Sequence, residues 1–295
     1  MSETQKEHRI FTVLYSGAYF IAVNKEQPVP MLKGKNCKIS LQDLVRNVEV
    51  SRYKKQEAEH TQQNCPYFQY TEHAHVYDNN SIPIKATDVF LEAPHRIDER
   101  TSGIALFCKT KESLIIMNYL LQAGMVRKKY YALVETAKVP PDNAGVLRHR
   151  LYHDERTNKT FAKAVKSDER KNTAELSWKT MSTNNGFSML EIVPHQGKTH
   201  QIRAQLAASG IPIIGDVKYG SHIRTASGFI MLHAGSLYYP ALLEASTIKL
   251  LESFVHKQND RARKILKLLL AQPIALTAPF PESEQFWAPF KQLHA

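Results

Sequence analysis

Residues 174–193 run AELSWKTMSTNNGFSMLEIV, two β-rich segments on either side of Asn184-Asn185-Gly186. An Asn-Gly pair accepts the positive φ angles of a two-residue hairpin turn, so the stretch predicts a tight antiparallel pair of strands. TFAKAV at 160–165 precedes it as a third β-like run, and the three together predict an antiparallel meander. Farther upstream, FTVLYSG (11–17) and YFIAVNK (19–25) are split by Ser16-Gly17 and predict a second hairpin, while IALFCK and KYYALVE add further strands.

Helices come between these strands. Ser40 is placed to cap SLQDLVRNV, and Thr110 to cap ESLIIMNYLLQA, which Gly124 ends. THQIRAQLAASG (199–210) predicts a helix from Thr199 to Gly210, with Ile202 and Leu206 on one face and Arg203 beside it. LLESFVHKQNDRARKILKLLLAQ (250–272) predicts an amphipathic helix near the end of the chain. Without regular βαβ alternation or a fixed repeat, the expected class is α+β rather than a doubly wound sheet. Residues 28–94 have poor periodicity, with YKKQEAEHTQQNCP and DNNSIP reading as exposed connection. Residues 145–172 carry eight Lys or Arg against four acids and no helical apolar face, which predicts a solvated basic hairpin.

The 295 residues are 43% hydrophobic, enough for a sizeable core, and carry a formal charge of +11 with a pI near 9.4. Such an excess points to a polyanionic partner, nucleic acid first. Cys37, Cys65 and Cys108 are too few and too scattered for a disulfide framework, so a reducing, cytoplasmic setting is expected. The first residues contain no apolar core of signal-peptide length, and no apolar run is long enough to span a bilayer. No phosphate-binding glycine loop, dinucleotide fingerprint or zinc deaminase signature occurs, which argues against ATP-driven or redox chemistry.

Four places could carry chemistry. In HRIDERTSG (95–103), Asp98 lies between Arg96 and Arg100; by itself it reads as a turn aspartate, but a carboxylate between apolar strands needs a fixed cation to stay ionised and could then serve as nucleophile or base. In VRKKYYALVE (126–135), Tyr130 and Tyr131 point to opposite faces of a strand behind Arg127, Lys128 and Lys129; tyrosines in strands are usually core, yet cations beside an aromatic ring also suit an extruded base. In PHQGKTHQIRAQL (194–206), Gly197, Lys198 and Arg203 gather at a helix start and could hold a phosphate or Asp98, against a plain reading of a capped helix with a surface arginine. Cys65 with His73 and His75 has zinc-like ligand types but lacks a fourth ligand and is set aside as coincidence.

Taken in order, HRIDERTSGIALFCKT, KKYYALV, GKTHQIRAQL, IPIIGDVKYG and LHAGSLYYP, over about residues 10–240 with a closing TAPFP, resemble the motif set of the RluA-type pseudouridine synthases. The resemblance implies a single catalytic domain over 1–295, with 28–94 as an irregular insertion; no separate N-terminal RNA-binding domain of the kind some relatives carry is expected, since strand-like sequence begins by Phe11. It implies a central mixed, mostly antiparallel sheet with flanking helices and a catalytic cleft, converting specific uridines of rRNA or tRNA to pseudouridine without cofactor or metal. It makes Asp98 the catalytic aspartate, paired with Arg203, and Tyr130 the ring that stacks on uracil and assists the late proton loss. Arg96 would help displace the base, and Lys128, Lys198 and His200 would contact RNA. The family usually has Arg where this chain has Lys198, and NKPAG where it has NKEQP. A monomer is expected, with no membrane partner.

Two other classes compete. A catalytically silent RNA-binding protein shares the basic surface but has no reason to hold Asp98, Tyr130 and Arg203 together. A retaining glycosidase needs a second acid, for which Asp216 and Asp88 are candidates only by elimination.

Overall fold

The computed structural model describes residues 10–26, 28–34, 37–58, 89–165, 173–239, 249, 253, 260–271 and 274–293. They form a mixed α+β fold whose sheet is mostly antiparallel, divided into two units: Met1–Glu99, Ile104–Val126 and Tyr238–Thr277 in the first, and Arg100–Gly103, Arg127–Leu237 and Ala278–Ala295 in the second. The zinc-like trio Cys65, His73 and His75 lies outside the described residues, as does Asp88.

In the first unit, β1 (Phe11–Ser16) and β2 (Phe20–Lys25) form the expected hairpin, with a bulge between Val13 and Tyr15. Every residue of β2 is buried, and it lies between β1 and β3 (Ser102–Cys108) in the sheet. Helix α1 (Leu41–Ala58) starts where expected: Ser40 and Asp43 form a reciprocal cap in which the Ser40 amide and hydroxyl donate to Oδ2 of Asp43, and the Asp43 amide donates to Oγ of Ser40. The helix runs on to Ala58, so YKKQEA at 53–58, expected as exposed connection, is helical; nothing from Leu41 to Ala58 is Gly or Pro. Helix α2 (Lys111–Gln122) has a capping box from Thr110 and Ser113. It packs against α4 (Asp260–Ala271), the described part of the expected tail helix.

In the second unit, β4 (Arg127–Glu135), β5 (Ala144–Asp154), β6 (Lys159–Ala164), β7 (Ala174–Asn184), β8 (Phe187–Pro194) and β9 (Leu232–Tyr239) are ordered β9-β4-β8-β7-β5-β6. The β4/β8, β8/β7, β7/β5 and β5/β6 pairs are antiparallel. Asn185 (φ 48°) and Gly186 (φ 80°) form the predicted two-residue turn between β7 and β8. The described part of the basic segment, 145–165, is the β5/β6 hairpin. β10 (Ile274–Thr277) belongs to the first unit.

Two boundaries differ from the sequence reading. Helix α3 is Gln201–Ala208, shorter than expected, because His200 takes a left-handed conformation (φ 52°) and ends the turn that Thr199 was expected to cap. Ser102 and Gly103, which precede the expected strand IALFCK, already belong to β3 and pair in parallel with His233 and Ala234. A Cβ on Gly103 (φ 103°) would lie 2.3 Å from the Ala234 carbonyl oxygen, so only glycine allows that approach.

Candidate active site

The segment bearing Asp98 is fixed within the first unit at several points. Glu92 and Cys108 exchange backbone hydrogen bonds, the Leu106 amide donates to Nε2 of His95, and Ile97 is buried. Between these anchors the side chains alternate: Arg96 is exposed and Asp98 half-buried. Beyond Asp98, the Lys25 ammonium donates to the Glu99 carbonyl oxygen at 2.5 Å. Lys25 is completely buried. Its burial pulls its pKa down to about 7, against the pull of the Asp98 and Glu99 carboxylates, which favour the charged form.

In the second unit, α3 projects Arg203 onto Asp216 in a planar fork, with Nε to Oδ2 at 2.7 Å and Nη2 to Oδ1 at 2.9 Å. Both side chains are buried, and the guanidinium also lies 4.8 Å from the centre of the Tyr219 ring. Asp216 is therefore committed to an ion pair, which removes it as the second acid of a glycosidase. The Tyr219 hydroxyl accepts the Thr160 amide at 2.8 Å and lies 3.0 Å from Nδ1 of His200, so the left-handed turn at His200 is held from outside the helix. Gln205 ties the other end of α3 to the strands by donating to the Leu147 and Ala174 carbonyls.

The same unit separates the two tyrosines as the sequence predicts. Tyr131 packs edge-on against Phe280, with centroids 5.7 Å apart. Tyr130 faces the other way, as does Lys128 two residues before it. Lys128 Nζ lies against Gly197, where a Cβ would stand 3.1 Å away, and burial lowers the lysine's pKa. This brings Lys128 and the 194–198 loop together ahead of α3. Lys198 is exposed, and its amide donates to Oε1 of Gln201. Asp98 belongs to the first unit and Tyr130, Lys128, Lys198, His200 and Arg203 to the second.

Four functional candidates were not marked as such by any motif in the sequence: Lys25, Asp216, Ser102 and His233. Lys25 ends a strand that is apolar from Phe20 to Val23, and that was its one signal. Asp216 had none beyond elimination. Ser102 donates its hydroxyl to Nδ1 of His233 (2.8 Å) while Nε2 of His233 donates to the Ala278 carbonyl (2.9 Å), a chain that spans too much sequence to be read from it. His233 is fully buried and packs against Phe280 and Trp287, themselves stacked at 4.3 Å.

Residues 19–208 match the family model described as RNA pseudouridylate synthase. Ribosomal large subunit pseudouridine synthase C of Rickettsia prowazekii is 31% identical over 157 residues, covering 53% of this chain and 51% of that protein. An uncharacterized RNA pseudouridine synthase of Zymomonas mobilis is 32% identical over 144 residues, covering 48% of this chain and 64% of that protein. The chain thus spans about half the length of the Rickettsia relative. Among solved structures, Human RNA Pseudouridylate Synthase Domain Containing 1 aligns with a TM-score of 0.54 at 19% identity, over 82% of this chain and 83% of that one. Human RNA Pseudouridylate Synthase Domain Containing 4 aligns with a TM-score of 0.52 at 18% identity, over 92% and 88%. At that identity the likeness concerns the fold. With a match over most of its length, this chain belongs to the RNA pseudouridylate synthase family.

Proposed function

We propose that the chain isomerises specific uridines of RNA to pseudouridine, as one catalytic domain, with ribosomal RNA the favoured substrate class. The observation that carries this is the family match over 19–208, a span that contains Arg96, Asp98, Tyr130 and Arg203. Two further observations support it: the net charge of +11 suits a polyanion, and the relative in Rickettsia prowazekii is named for the large ribosomal subunit.

The bond from the ribose C1′ to uracil N1 breaks, the base turns, and C1′ rejoins it through C5. The C5 proton is lost and N1 gains one, so atoms and electrons balance without a donor. Asp98 acts as nucleophile or as base toward the sugar, and Arg203, its own orientation fixed by Asp216, pairs with it. Tyr130 stacks on the uracil and assists removal of the C5 proton. Arg96 fills the place of the displaced base, while Lys128, Lys198 and His200 contact the RNA backbone. Extruding a base costs a few kcal/mol, which these cationic contacts offset.

Asp98→Asn should abolish pseudouridine formation while leaving RNA binding within about threefold, because phosphate contacts rest on other residues. Carbodiimide mapping by primer extension of RNA from cells with and without the protein reads this directly. An unchanged map in both rRNA and tRNA would overturn the proposal.

A further inference from the structure

Hairpin β5/β6 presents its two faces very differently. Toward α3 it buries His149 and Thr160, and its tip is latched from that side: the Tyr219 hydroxyl accepts the Thr160 amide, and Lys218 Nζ donates to the Thr157 and Asn158 carbonyls at 3.0 and 2.7 Å. The opposite face carries Tyr152 and Phe161, which are register partners and therefore stand side by side. Tyr152 is 49% exposed and Phe161 51%, the largest exposures of any aromatic residue among the described residues. Their neighbours on the same face are Arg150 opposite Lys163 on one side and Asp154 opposite Lys159 on the other. Lys159 Nζ lies 5.6 Å from the Phe161 centroid and 5.4 Å from that of Tyr219, so it stands at the edge between the two faces. The single acid is taken up locally, since Asp154 accepts from the Arg156 amide and the Thr157 hydroxyl. The result is two open rings with three cations around them.

A cross-strand aromatic pair can serve merely to stabilise a hairpin. Here the other face already anchors the strands, and an aliphatic pair would pack as well without leaving two rings open to water. Rings beside cations match what an unpaired nucleic-acid strand requires: a π-face for each base and positive charge for the adjoining phosphate. A duplex keeps its base faces stacked and offers none to such a surface. The geometry points to the Tyr152–Phe161 face, flanked by Arg150, Lys159 and Lys163, as a stacking platform for single-stranded RNA next to the uridine that is modified. The inference deepens the proposed RNA function by adding a contact outside the residues assigned to chemistry.

The test compares binding of a short, unstructured, fluorescein-labelled RNA with that of the same strand annealed to its complement. In a Tyr152→Thr/Phe161→Thr double variant, whose β-branched residues keep strand propensity, single-strand affinity should fall by about tenfold or more. Duplex affinity should stay within about twofold. Tyr152→Phe and Phe161→Tyr should bind like the wild type, because the rings remain. Phe161→Leu covers the case in which the double variant fails to fold, and it should lose single-strand affinity at an unchanged thermal midpoint. Equal single-strand binding by the folded variants would overturn the platform. So would an equal loss on duplex RNA, or sedimentation in which the wild type self-associates and the variants do not, since the face would then hold a second copy. Assaying pseudouridine formation by the wild type alongside separates the two claims: no product with ring-dependent binding sinks the activity and leaves the platform, while product with ring-independent binding does the reverse.

Discussion

Arg203 shows how one residue can be read correctly for importance and incompletely for partner. Its place beside the apolar face of a helix marked it as more than a surface cation, but nothing local pointed to Asp216, which comes from a turn beyond the helix. Because both groups are buried, Asp216→Ala removes the carboxylate that takes two hydrogen bonds from the guanidinium, and chemical denaturation should register a loss of about 3–5 kcal/mol. Lys25 gives a second residue-scale expectation. Its folded pKa of about 7 lies below the ordinary 10.5, so between these values the unfolded chain binds more protons, and the lysine's contribution to stability rises with pH across that window. The difference in denaturation midpoint between wild type and Lys25→Met should accordingly shift in favour of the wild type as pH increases from about 7 to 10; a flat difference would contradict the depressed pKa.

Among the elements, those with local signals were legible. The Asn-Gly turn, the Ser40 and Thr110 caps and the split at Ser16-Gly17 each act within a few residues, and each stands where the sequence put it. The missed boundaries depend on distant partners: His200 is held left-handed beside Tyr219, and Gly103 enters a strand only because Ala234 lies next to it. The candidate site divides in the same way, with Asp98, Tyr130 and Arg203 marked by motif while Lys25, Ser102, Asp216 and His233 emerge only from packing. Gly103→Ala tests the close approach of β3 to β9. A left-handed alanine alone costs about 1–2 kcal/mol, and the contact with the Ala234 carbonyl adds about 1–3 more, so the thermal midpoint should drop far beyond that of an ordinary surface Gly→Ala change.

At the scale of the whole molecule, the charge excess makes a prediction independent of any single side chain. If phosphate neutralisation supplies most of the affinity, RNA binding should weaken by about tenfold or more between 50 and 200 mM salt, falling linearly on a log–log plot. Titrations that overlay across this range would contradict it. Among the described residues no helix is long and apolar enough to cross a membrane. The fate of His233 bears on how the chain is made. Its Nε2 acceptor, Ala278, and the stacked Phe280 and Trp287 beside it are translated well after the strands of the second unit, which begin with β4 at Arg127. A nascent chain halted before residue 278 lacks both the carbonyl that Nε2 of His233 donates to and the two rings it packs against, so the surroundings of His233 should settle only late in synthesis, against the usual amino-to-carboxyl order.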